Sequence, residues 1–156
     1  MAATFKPFFI PQKEVDLIDA LNEELIDNVL GQYVDIYKVS VEDTDANIYG
    51  ESSKKYFQTG FRVNCLISFE EPTIEQNEFG SDLSANLEMY FHRTTLSEAG
   101  FYPEIGDIVD WNDIYWEMNA VTEPQLIGGH QAFKHMIKAL AHRARLSGLQ
   151  IEERPR

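Results

Sequence analysis

The chain has 156 residues, 44% of them apolar and 25% charged, with a formal net charge of −13, which suits about one domain with its own core and excludes disorder throughout. No window approaches the ~20 continuous apolar residues of a membrane span, and the first residues lack the basic flank and apolar run of a secretory leader, so a soluble chain made in the cytosol is expected. Residues 1–130 hold 7 Lys/Arg against 24 Asp/Glu while residues 131–156 hold 6 against 2; such an acidic body repels phosphates and argues against a module that grips nucleic acid, yet its basic end suits an acidic patch on a neighbour.

In chain order, residues 1–13 carry Phe5, Phe8, Phe9 and Ile10 around Pro7 and Pro11, a pattern that predicts an extended arm rather than a helix. Its rings need burial, on their own domain or on an adjacent subunit. Over Glu14 to Leu30, Val15, Leu17, Ile18, Leu21, Leu25, Val29 and Leu30 recur at three- and four-residue spacing opposite Asp16, Asp19, Glu23, Glu24 and Asp27. This predicts an amphipathic helix closed by Gly31 at C′. Its acidic face is read as solvated, or as facing a pore or a partner's cations. Tyr33 to Val41 reads as a strand and polar Glu42 to Ser53 as a long loop, of a length that is often functional or mobile.

Two runs then alternate strictly. Phe61, Val63, Cys65, Ile67 and Phe69 share one face, as do Leu83, Ala85, Leu87, Met89 and Phe91; period two predicts half-buried strands. The acidic segment between them, Glu71 to Asp82, contains Pro72 and Gly80 and is expected to be a protruding loop rather than a tight turn. Thr94 to Gly100 suits a short helix capped by Thr94, Thr95 or Ser97. Within Glu104 to Val121, β-rich runs flank Asn112-Asp113, two residues that tolerate positive φ, so a hairpin is predicted. After Gly128-Gly129, Phe133, Met136, Ile137, Leu140, Ala141 and Ala144 make a helical stripe over Gln131 to Leu146, with Lys134, Lys138, Arg143 and Arg145 on its polar face. The tail from Gly148 is expected to be loose until a partner orders it. The fold class is therefore mainly β with terminal α-helices (α+β), an antiparallel sandwich or partly open barrel of about five to six strands: an arm at 1–13, one β-rich domain at 14–147 with an N-terminal and a C-terminal helix, and a tail at 148–156.

Little in this pattern supports catalysis. Cys65, the single cysteine, excludes an internal disulfide or a thiolate cluster within one chain and sits on an apolar strand face, a poor place for a thiolate nucleophile. His92, His130, His135 and His142 lack the spacing of a metal site, Gly128-Gly129 lacks the lysine and flanks of a phosphate loop, and no nucleophile elbow occurs. No cofactor, metal or catalytic residue is expected. Carboxylates are numerous enough for a chance acid pair, so a small glycan-hydrolysing or carbohydrate-binding domain using Trp111 and Trp116 stays as an alternative. Aromatic anchors and charged loops together fit a subunit that touches several neighbours. The interface candidates are Phe8, Phe9, Tyr49, Glu51, Lys54, Lys55, Glu75, Glu78, Phe79, Trp111, Lys138, Arg143 and Arg145.

The segments Ile48-Tyr49-Gly50-Glu51-Ser52-Ser53-Lys54-Lys55-Tyr56-Phe57, Val63-Asn64-Cys65-Leu66-Ile67, Asn77-Glu78-Phe79-Gly80, and Gly106-Asp107-Ile108-Val109-Asp110 leading to Tyr115-Trp116-Glu117-Met118 resemble, in combination, the neck proteins of tailed bacteriophages. The resemblance spans about residues 33–127. It implies a virion protein made in the host cytoplasm, forming a closed ring, a hexamer by preference, between the portal or adaptor ring and the tail terminator or tail tube. Such a ring closes the DNA-filled head, docks the tail, and passes duplex DNA without reading its sequence or touching a membrane. Glu71, Glu75, Glu78 and Asp82 are then candidates to face the lumen, and a tail terminator is the alternative role. Substituting Arg143 and Arg145 by Glu is expected to block assembly while leaving the monomer folded.

Overall fold

A computed structural model of the chain describes residues 11–39, 55–70, 73–77, 80–123, 133–144 and 149–151. Helix α1 (Gln12–Glu24) runs without a break into a π-helical segment, Leu25–Leu30, and ends at Gly31 with φ of 55°. That left-handed conformation costs glycine little, as the sequence anticipates. The strands follow as β1 (Tyr33–Tyr37), β2 (Lys55–Phe57), β3 (Phe61–Asn64), β4 (Leu66–Phe69), β5 (Thr73–Asn77), β6 (Gly80–Ser84), β7 (Asn86–His92), then short helix α2 (Arg93–Glu98), then β8 (Ile108–Trp111), β9 (Ile114–Thr122), β10 (Met136–Arg143) and β11 (Leu149–Ile151).

Seven strands form one antiparallel sheet in the order β3-β1-β8-β9-β10-β7-β4. Its edge strands are the two halves of a single alternating run: β3 pairs with β1, β4 pairs with β7, and only Cys65 separates them. Two residues so close in sequence cannot sit far apart in space, so the sheet rolls until its edges meet. It is not closed, because β3 and β4 lie end to end instead of pairing. At the switch, the Cys65 N–H donates to the Gln32 carbonyl at 2.9 Å. The inner face holds Val34, Ile36, Leu87, Met89, Phe91, Trp116 and Ala139, all buried. The architecture is thus mainly β with an N-terminal helix, as expected.

Four local expectations are corrected. The basic C-terminal helix does not form: Met136–Arg143 is the strand β10, paired with β7 and β9 on its two sides. Ile137, Ala139 and Ala141 are buried at period two, a pattern hidden within the helical stripe, and a central place in the sheet satisfies both edges of the backbone and overrides the helix propensity of Lys, Ala and Leu. This raises the strand count above that expected. Within the segment Glu71 to Asp82, residues 73–77 and 80–82 are strand rather than loop, since β5 and β6 pair from Thr73↔Ser84 to Asn77↔Gly80 as a two-stranded ribbon. The tail holds a strand, for β11 pairs in parallel with β2. Thr94 and Thr95 lie inside α2, which follows directly on His92 without a side-chain cap.

The central hairpin forms as predicted. Asn112 and Asp113 have φ of 55° and 61°, the primed turn whose twist matches that of the flanking strands. Farther along β9 the register with β10 passes from Ala141↔Met118 to Leu140↔Ala120, leaving Asn119 as a bulge. The bulge exchanges the inward set from Trp116 and Met118 to Val121, which keeps an apolar face on the core through nine residues of strand.

Candidate functional site

Helix α1 meets the sheet through its polar side. Asp19 lies 3.0 Å from His92 Nε2 and accepts from the Thr94 hydroxyl at 3.2 Å, while Asp27 accepts from the Asn64 amide at 3.2 Å. Only Val15 and Ile26 of its apolar residues are buried. Of the acidic side, Glu14, Asp16 and Glu24 are exposed as expected, whereas Asp19 and Asp27 face the body because His92, Thr94 and Asn64 offer them donors. The apolar stripe points outward instead. Leu17, Ile18, Leu21, Leu25, Val29 and Leu30 are 41% to 68% exposed. Nothing in the sequence distinguishes the docked side of such a helix from the free one, so this surface was not legible from spacing.

A second feature lies where β1, β3 and the β8–β9 turn converge. An open groove of about 650 Å³ is lined by residues including Tyr33, Asp35, Arg62, Asp110, Trp111 and Asp113. Arg62 clasps Asp35 with both ends of its fork, Nε to Oδ1 at 2.8 Å and Nη2 to Oδ2 at 2.9 Å, and lies over the Tyr33 ring at 4.4 Å. The Asp35 carboxylate raises the guanidinium above its ordinary value, chiefly through these bonds. Trp111 packs against Phe69 and Trp116, at 5.7 and 6.4 Å between ring centroids, with Trp116 itself in the core. The two tryptophans therefore do not form an open pair of stacking faces.

Of the cations in the C-terminal stretch, Lys134 pairs with Glu123 at 2.9 Å and Lys138 with Glu88 at 3.0 Å. Lys138 also lies over the Tyr90 ring. Each pair holds its carboxyl below the usual range, with Lys138 the main cause for Glu88 and Lys134 for Glu123. Arg143 is exposed at the end of β10, in register with Trp116. Among the other sequence-predicted site residues, Lys55 lies in β2 and Glu75 and Asp82 are register partners on the ribbon. Phe8, Phe9, Tyr49, Glu51, Lys54, Glu71, Glu78, Phe79 and Arg145 lie outside the described residues. Among the described residues no group of His, Cys, Asp and Glu is placed to hold a metal ion, and no helix is long and apolar enough to cross a membrane.

The most buried carboxyl of the described chain belongs to Asp107, whose Oδ2 accepts from the Glu104 N–H at 2.8 Å. Burial pushes it above the usual range. Its partners are those of a turn that leads into β8, so the shift has a structural cause. Cys65 is buried completely, and burial pushes its thiol up to about 12.

No protein-family model matches the chain, and no curated protein matches it. Among solved structures, the fold is similar to a chain in the virion of a native gene transfer agent particle, with a TM-score of 0.52 and 13% identity over 72% of this chain and 92% of that one. The likeness is one of fold.

Proposed function

We propose that this chain is a structural protein of a phage-like virion and, within it, a neck protein. The observation that carries this reading is the fold shared with a chain of the gene transfer agent virion along 92% of that chain's length. The motifs within residues 33–127 that resemble tailed-phage neck proteins support the finer assignment. In this reading copies form a ring, a hexamer by preference, between the portal or adaptor and the tail, and its work is mechanical, closing the filled head and docking the tail without making or breaking a bond. The acidic balance of residues 1–130, 24 Asp/Glu against 7 Lys/Arg, suits a channel wall that repels phosphates and lets a duplex slide.

The test is to image particles from cells with and without the gene. Density for this chain at the head-tail junction, and filled heads that leak DNA and lack tails in its absence, are expected. Density at the top of the tail tube alone identifies a tail terminator instead. Normal tailed particles without the protein overturn the assignment, and stoichiometric binding of an oligosaccharide to the groove beside Trp111 would favour the carbohydrate-binding alternative.

A further inference from the structure

The outward face of α1 and its π-helical extension is a broad apolar surface. Leu17, Ile18, Leu21, Leu25, Val29 and Leu30 together present on the order of 600 Å² of apolar surface, which matches the largest patches of typical monomers and approaches the about 800 Å² that each partner buries in a standard interface. The helix cannot turn this face inward, because Asp19 and Asp27 anchor the opposite side to His92, Thr94 and Asn64. Charge narrows the choice of occupant. Residues 12–30 hold six carboxylates and one lysine, and Glu14, Asp16 and Glu24 are exposed, so two such helices laid face to face repel each other. The segment Met1 to Ile10 has the complementary chemistry, with three phenylalanines, Ile10, Lys6 and no carboxylate.

We propose that the stripe is the docking site for the Met1–Ile10 segment of a second copy of this chain. Length selects the second copy over the chain's own arm. The stripe from Leu17 to Leu30 is about 20 Å long at 1.5 Å per residue, and Phe5 to Ile10 extended spans about 17 Å. A chain's own arm is tethered at Pro11, whose extended conformation opens α1, and a residue that precedes proline disfavours the helical region a tight reversal uses. Doubling back spends Phe8 to Ile10 on the reversal and leaves Leu25, Val29 and Leu30 beyond their reach. A neighbour's arm has no such tether and lays its aromatic rings along the whole stripe. Each copy then gives an arm and receives one through different surfaces, so one-way exchange is head-to-tail and closes into a ring where its rotation allows, whereas reciprocal exchange gives a two-fold dimer.

Two full-length variants, Phe8→Cys and Val29→Cys, test this when mixed and mildly oxidised, because a bond between those positions in the mixture can join only separate molecules. Disulfide-linked dimers in several-fold excess over either variant alone are expected, and adding Leu25→Asp to the Val29→Cys chain should abolish them while leaving its circular dichroism unchanged. No excess of linked dimers overturns the proposal. So does a chain carrying both substitutions that closes only within itself, since its own arm then fills the site. The readout needs no particle, so it stands or fails apart from the virion assignment.

Discussion

His92 joins the helix to the sheet: its Nε2 lies 3.0 Å from Asp19 Oδ1 and its Nδ1 lies 3.1 Å from Thr95 Oγ1, with the ring buried at 2% exposure. Donation from Nε2–H to the carboxylate leaves Nδ1 to accept from the threonine hydroxyl, so one side chain fixes α1, α2 and the end of β7. Replacing His92 by Ala strands two partners at once and is expected to cost about 2 kcal/mol or more. Asp19→Ala should cost less, because the aspartate is partly exposed and water replaces it in part. Urea unfolding of the two single variants and the double variant gives the coupling, expected at about 1 kcal/mol or more, and additive losses would show that the contact does not hold the helix.

The turn Asn112-Asp113 offers a second measurement. Both residues hold positive φ, which a β-branched side chain adopts only with strain. Asn112→Val is expected to destabilise by about 1–2 kcal/mol, whereas Asp113→Gly should be neutral or mildly stabilising. Thermal melts of both variants test the pair, and equal losses from Val and Gly would contradict a backbone origin.

That turn was legible because the requirement is local, carried by two residues between runs of Val, Ile, Tyr and Trp. Helix α1 was legible from its spacing and from Gly31, and the runs that hold β3, β4 and β7 from strict alternation, but the change of partner at Cys65 that divides the first run was not. Strand β10 was not, because Ile137, Ala139 and Ala141 satisfy period two while Phe133, Met136, Ile137 and Leu140 satisfy the helical period, and only the neighbours β7 and β9 decide between them. The clasp of Asp35 by Arg62 spans 27 residues and follows from the pairing of β1 with β3, which no local signal encodes. The exposed stripe is the hardest case, since the polar contacts that orient α1 join it to residues more than thirty positions away.

Acid sensitivity follows from the Lys138–Glu88 pair. A glutamate in the unfolded chain titrates near about 4.3, and Glu88 lies lower in the fold because Lys138 and Tyr90 donate to it. Its stabilising contribution is complete above the unfolded value and is lost as pH falls through the folded one. Lys138→Met is therefore expected to lower stability at neutral pH and to converge on the wild type at acid pH. Asp107 runs in the opposite sense: its folded value is raised, so its contribution is present below about 3.9 and is lost as pH rises through the folded value. Asp107→Asn, which keeps the acceptor without the charge, should gain relative to wild type toward neutral pH. Urea midpoints across the acid range check both directions, and parallel curves for either variant would refute its part.

Cys65 provides the last test because the two halves of the edge run meet there. Its N–H holds Gln32 while the next residue, Leu66, is in register with Tyr90 of β7, so the point where the sheet changes partners is also the point where the thiol is completely buried. Burial pushes that thiol up to about 12, far from the thiolate form that reacts with disulfide reagents. The native protein should therefore resist a thiol reagent at mildly alkaline pH and be labelled at the rate of opening, rising in step with urea. Cys65→Ser leaves the backbone bond intact but buries a hydroxyl in place of a sulfur, at an expected cost of about 1–3 kcal/mol, whereas Cys65→Pro removes the N–H that bridges to Gln32 and should prevent the sheet from rolling. Rapid labelling of the native protein, at a rate independent of denaturant, would mean that the edges of the sheet part readily at this residue.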